Sequence, residues 1–171
     1  MKKLYFLFTL MFAFSIQSQV IITEIADPNN DTQARFIELT NIGDNAFDLT
    51  GYQLVRWTNA NTAYTTSSAV DLSEFGSLQS KGILTLANNT NFEAVYGVAP
   101  TKVIGSTGPA DSNGDDNIAI LDPNGSIYDV YGVPGTDGTG QPHEFEDGRA
   151  ERKGSVTAPS STWDLNEWNI D

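Results

Sequence analysis

The stretch DSNGDDN, residues 111–117, carries the densest oxygen chemistry in the chain. Asp111, Asn113 and Asp115 alternate carboxylate and amide. A hard cation such as calcium takes roughly six to eight such oxygens when a bend brings them to one point. The spacing departs from a helix-loop-helix calcium loop: Asp116 stands at the sixth position, where Gly is needed, and Asp122 rather than Glu at the twelfth. The candidate is therefore a looser site at the end of a sheet, with Asp115 and Asp116 joined by Asp27, Asn29 and Asp31 of ADPNND or by Asp137. The competing reading is turn chemistry, since Asp, Asn and Gly also bond their own backbone in tight reversals.

Other constellations carry less. Glu24 with Glu38, and Glu144 with Glu146 and Asp147, are carboxylate pairs of the kind a glycosidase holds about 5–10 Å apart, but sequence gives no distance. A Ser-His-Asp relay would rest on His143, the only histidine. It sits in GQPHEFEDG, where acidic neighbours favour its charged form and a solvated loop is expected. There is no G-x-S-x-G elbow. GTDGTG, residues 135–140, lacks the Lys-Ser/Thr of a phosphate loop and reads as a flexible connection. The rings of Trp57, Tyr64 and Trp163 are candidates for stacking on a ligand, although Trp163 and Trp168 read more readily as packing for a last strand.

Composition narrows the classes. The 171 residues contain no Cys, which removes thiol catalysis, Cys-bound zinc and disulfides. MKK followed by LYFLFTLMFAF and SIQSQ has the three-part pattern of a secretory leader over residues 1–19. That apolar run is too short to span a bilayer, which takes about 20 residues. Without Lys2 and Lys3, 7 basic residues face 22 acidic ones, a net charge of −15. Nucleic-acid affinity rests on cations neutralising phosphates, so nucleic acid is excluded as a partner. RAERK, residues 149–153, is the largest basic cluster and reads as a solvated strand edge guarded by charge.

These residues must be held by strands. In RFIELT, Phe36 and Glu38 point one way and Ile37 and Leu39 the other, the period-two signature of a two-faced strand. NIGDN interrupts it, AFDLTG and GYQLVRW resume it, and the stops read as hairpin corners. VIITEIA, GILTLA, NIAILD and SIYDVYG are further strands, the last two joined through Asn-Gly, a strong hairpin signal. NTNFEAVYGVAP alone resembles a helix, with Asn91 as cap and Gly97 as terminator. Beyond residue 132 the chain reads as loops with one last strand. Seven or so short strands around one core predict an all-β two-sheet sandwich over residues 20–171.

VIITEIADP followed by ARFIELTNIGDNAFDLTGYQLV resembles the opening of the lamin-tail domain, and NFEAVYG, NGDDNIAILDPNGSIYDVYG and the RAERK-to-DLNEWNI tail are similar to versions in secreted proteins of Bacteroidetes-type bacteria. The resemblance implies an immunoglobulin-like sandwich with Glu24, Glu38 and Asn41 in its motif positions. The two glutamates lie mid-strand among apolar neighbours: facing inward they need a cation such as Arg35, Arg56, Lys81 or a metal, and facing solvent they mean little. Their motif positions imply a structural hydrogen-bonding role. It also implies a non-catalytic exported module that binds or tethers a protein or polysaccharide at or beyond the cell envelope. Calcium-dependent sugar binding and a metal-assisted hydrolase are the alternatives.

Overall fold

A computed structural model describes residues 19–171; the expected leader lies outside the described residues, Gln19 excepted. The first sheet is built from β1 (Val20–Ala26), β2 (Phe36–Asn41), β7 (Ile83–Ala87), β8 (Lys102–Val103), β11 (Arg149–Arg152) and β12 (Trp168–Ile170). Its strand order is β12-β11-β1-β2-β7-β8. The second sheet, in the order β10-β9-β4-β5, contains β4 (Gln53–Trp57), β5 (Val70–Asp71), β9 (Asn117–Leu121) and β10 (Ile127–Tyr131). A ribbon of β3 (Phe47–Asp48) and β6 (Ser77–Leu78) lies beside them, and α1 (Asn91–Tyr96) is the one α-helix among the described residues. Pairing is antiparallel except between β7 and β8. The expected immunoglobulin-like all-β sandwich is what the chain forms.

Period-two alternation accounts for the core. Ile37 and Leu39 of β2 point inward with Val20, Ile22 and Ile25 of β1, meeting Leu54, Ile118 and Ile120 of the second sheet. Alternate residues of the second sheet form a separate outer cluster of Val55, Trp57, Ala119, Leu121 and Val130, onto which Tyr64 and Trp163 fold. β9 is consequently buried on both faces. On the outer face of the first sheet, Phe92 and Tyr96 of α1 meet Phe36 edge-on, both at 5.2 Å between centroids.

Three expectations change here. The stops after β2 are not hairpin corners: β2 stays in the first sheet, β3 pairs with β6, and β4 enters the second sheet. The tail supplies two strands, β11 and β12, where one was expected. Helix α1 is preceded by Thr90, which makes no side-chain cap; Asn91 instead donates to Asp31 Oδ2 at 3.0 Å. Gly97 does end the helix, with a left-handed φ of 73°. The β9–β10 hairpin turns where Asn-Gly placed it, Asp122 Oδ1 accepting from the backbone N–H groups of Asn124 and Ser126.

The basic cluster is not a solvated edge. Arg152 is 7% exposed and donates to both oxygens of Asp129, which is fully buried on β10. Its Nη2 donates to Glu167 Oε2 at 2.6 Å, and its guanidinium lies over the Trp168 ring at 4.7 Å. Asp129 also accepts from Ile22 N and Ser160 N. Ile22 lies at the β-bulge of β1, so the second sheet supplies the acceptor for an amide at a local break in ladder register. One buried ion cluster thus ties both sheets to the tail.

Candidate interaction surface

The acid loop folds inward. Gly114, with φ +98°, presses on the backbone of Glu146, where a Cβ would sit 2.3 Å from Cα. Its carbonyl accepts from Phe145 N. Asp116, 1% exposed, accepts from Arg56 at 3.0 Å and from Asn59 N at 2.9 Å. Burial, against these donors, raises its pKa. Asp115 Oδ2 accepts from Asn59 Nδ2, while its Oδ1 is buried with no hydrogen-bond partner. Asp111 shares Arg35 with Asp27, which takes the closer contact at 2.6 Å. Asp31 caps the turn at Thr32–Ala34 by accepting from Gln33 N, and Asn113 is exposed. Arginines therefore stand against Asp27, Asp111 and Asp116. No group of three or more His, Cys, Asp or Glu among the described residues is arranged to hold a metal.

The segment read as a flexible connection is pinned to this loop at Gly138, while Gly140 stands in open space. A Cβ on Gly138 would meet the Asp115 backbone at 2.7 Å, and one on Gly132 would meet Asn117 Oδ1 at 2.3 Å. His143 is not solvated: it is 2% exposed, lies edge-on to Trp163, and its carbonyl accepts from the Tyr131 hydroxyl. Burial lowers its pKa against the pull of Asp137 and Glu144, so the neutral imidazole is favoured, opposite to the sequence expectation.

Among the aromatic candidates, Trp57 is only 6% exposed and Tyr64 closes edge-on over it at 5.5 Å. Trp163 packs against Tyr131 and His143. These rings spend their faces on one another rather than on a solvent-facing platform.

The three motif residues lie in the first sheet. Asn41 is fully buried and binds the backbone of five residues: its Nδ2 donates to the carbonyls of Asn45, Leu78 and Gln79, and its Oδ1 accepts from Gly43 N and Gln19 N. Glu38 Oε1 accepts from the hydroxyls of Thr23 at 2.6 Å and Thr40 at 3.4 Å. Glu24 pairs with Arg149 at 3.3 Å, and partial burial raises its pKa. Asn41 thus fixes the exit of β2, the point at which the chain leaves for the second sheet.

Residues 15–135 match the sequence profile of the Lamin Tail Domain. The chain belongs to the lamin-tail domain family. That membership supports a non-catalytic immunoglobulin-like module. Among curated proteins none matches the chain. The match takes in Glu24, Glu38 and Asn41 but stops short of β11 and β12, so the strands that complete the lamin-tail sheet beside β1 lie beyond it.

What this lamin-tail domain leaves open is one side of the sandwich. The terminal strands β5 and β8 flank a cleft of about 450 Å³ lined by Ala69, Val70, Val103 and Ile104, with Asp71, Glu74 and Lys102 at its rim. Val103 is 39% exposed. Lys102 and Glu74 form an ion pair across the rim, with side chains about two-fifths exposed. The sequence signal was present, because GVAPTKVIG places valines in an otherwise polar connection, but a two-residue strand is too short for periodicity to reveal.

Among the described residues no helix is long and apolar enough to cross a membrane.

Proposed function

We propose that the protein is an exported binding or tethering module that engages a protein partner through the β5–β8 side of the sandwich. The observation that carries this reading is the apolar cleft between the two terminal strands. Both strands offer unpaired backbone to an extended segment, the mode by which sheets recruit strands. The acid loop, by contrast, turns most of its carboxylates toward Arg35, Arg56 and Asn59. A photo-crosslinking residue at Val103, in protein added to envelope fractions of producing cells, should give a discrete protein adduct. Lys102→Glu, which sets a like charge against Glu74 at the rim, should abolish it. A polysaccharide adduct, or labelling equal to that from a probe at exposed Thr139, would overturn the reading. The exported part is tested by N-terminal sequencing of extracellular protein, with a start at residue 19 or 20 expected.

A second reading is favoured by one atom. The buried Oδ1 of Asp115 has no partner and lies in the loop with exposed Asn113, which is where a calcium ion serving a sugar ligand would enter. Thermal melts in chelator and then in millimolar calcium decide it. An ion at about 100 times its Kd adds about 2.7 kcal/mol, a midpoint rise of roughly 5 °C or more for a domain of this size. A shift under about 1 °C removes the reading.

A further inference from the structure

The outer face of the first sheet is covered by α1 at one end, and at the other it sinks into a separate cavity of about 360 Å³. Ile21, Thr23, Thr40 and Ile42 of β1 and β2 lie at its base. The segment after β11 brings Lys153 and Val156 to one side, and the turn before β7 brings Lys81 to the other. In a chain with 22 acidic residues against 9 basic ones, the lining contains Lys81, Arg152 and Lys153 and not one Asp or Glu.

The charges are not equally committed. Arg152 is neutralised by Asp129 and Glu167. Lys81 pairs with Asp44, but these side chains are 63% and 80% exposed, and such a surface pair is readily exchanged. Lys153 is, among the described residues, the one Lys or Arg without an ion pair; its ammonium reaches only the carbonyl of Asn166, at 2.9 Å. The hydroxyls at the base are turned to Glu38 and to each other. Recognition of charge therefore falls to the two lysines, and Ile21, Ile42 and Val156 supply apolar contact.

We propose that this cavity binds a small organic anion, a carboxylate carried on a compact branched apolar group. The volume is at the lower end for small-molecule sites, and the mixture of ammonium groups with aliphatic surface selects against both a neutral sugar and a bare inorganic anion. The inference is independent of the β5–β8 cleft, which lies at the β8 margin and shares no lining residue with this cavity.

The test is a titration of the 15N-labelled protein, followed by amide shifts, with N-acetyl-leucine as probe. Acetate, N-acetyl-leucinamide and inorganic phosphate are the comparisons. Saturable shifts at Ile42, Lys153 and Val156 with a Kd of about 1 mM or tighter, and binding at least about tenfold weaker for all three comparisons, are expected. Lys153→Gln should weaken N-acetyl-leucine about tenfold, while Lys102→Gln at the distant cleft leaves it unchanged. The spectra themselves report whether each variant is folded. No saturable shift up to about 20 mM, equal binding of acid and amide, phosphate binding as tightly, or an unaffected Lys153→Gln variant would each overturn the proposal.

Discussion

Removing the Asn41 side chain leaves the backbone groups of five residues to find other partners, and those of Gly43 and Leu78 lose buried hydrogen bonds. An unsatisfied buried group costs about 1–3 kcal/mol, so Asn41→Ala should lose about 3 kcal/mol or more in urea unfolding. Asn41→Asp should be no better, because a carboxylate cannot donate to the carbonyls of Asn45 and Leu78; a loss below about 1 kcal/mol for either would show that the amide is not what pins the β2 exit. Two buried titrating groups make opposing contributions with pH. Burial of Asp129 outweighs Arg152 and two backbone donors and lifts its pKa from 3.8 to about 6. The folded state then holds a proton that the unfolded chain has released, so this group loses stability as pH rises from about 4 to 6. His143 has a lowered pKa; the unfolded chain protonates first, and stability falls as pH drops below 6.5. Wild type minus Asp129→Asn, by denaturation at pH 4 to 7, should isolate the first effect as a difference that shrinks with rising pH. A carboxyl titration midpoint below 4 for Asp129 would show that its four hydrogen bonds outweigh burial.

At the scale of elements, Gly114 and Gly125 form a matched pair. Both have positive φ, but a Cβ at Gly114 meets the Glu146 backbone, whereas one at Gly125 in the β9–β10 turn meets nothing within 4 Å. Gly125→Ala should cost about 1 kcal/mol for the backbone angle alone. Gly114→Ala should cost about 3 kcal/mol or more, since backbone and not a flexible side chain must move; equal thermal midpoints would mean that the acid loop is not held where it lies. The existence of the strands was legible, because Ile37 and Leu39 against Phe36 and Glu38 is a pattern only a two-faced strand satisfies. Their distribution between sheets was not: NIGDN turns the chain equally well into a hairpin or across to the other layer. β11 was hidden because one of its two inward residues is Arg152, and a buried cation reads as polar until Asp129 is seen opposite it. For the candidate site, the acid loop was visible as chemistry, but the arginines that stand against it come from β4 and the approach to β2, at sequence separations of 60 and 76.

For the whole molecule, a net charge of −15 over the described residues, 7 basic against 22 acidic, makes the folded state repel itself more than the expanded one. Most described cations are already spent on local pairs, so the remaining carboxylates act through solvent. Raising sodium chloride from about 10 to 150 mM shortens the screening length from about 30 to 8 Å and should raise the thermal midpoint by a few degrees. A fall would mean that the exposed pairs of Lys81, Lys102 and Arg149 outweigh the general repulsion. The ladder β1-β11-β12 also settles how the domain would respond to force. Val20 opens β1 at the end where Asn41 lies opposite, while Ile170 lies opposite Ala150 and Arg149 opposite Ala26, which puts Asp171 at the other end. Pulling the two ends apart therefore slides the strands along one another and loads their hydrogen bonds together, instead of peeling them one at a time. The buried Asp129–Arg152 contact would have to shear in the same event, so the domain is built to yield late and all at once.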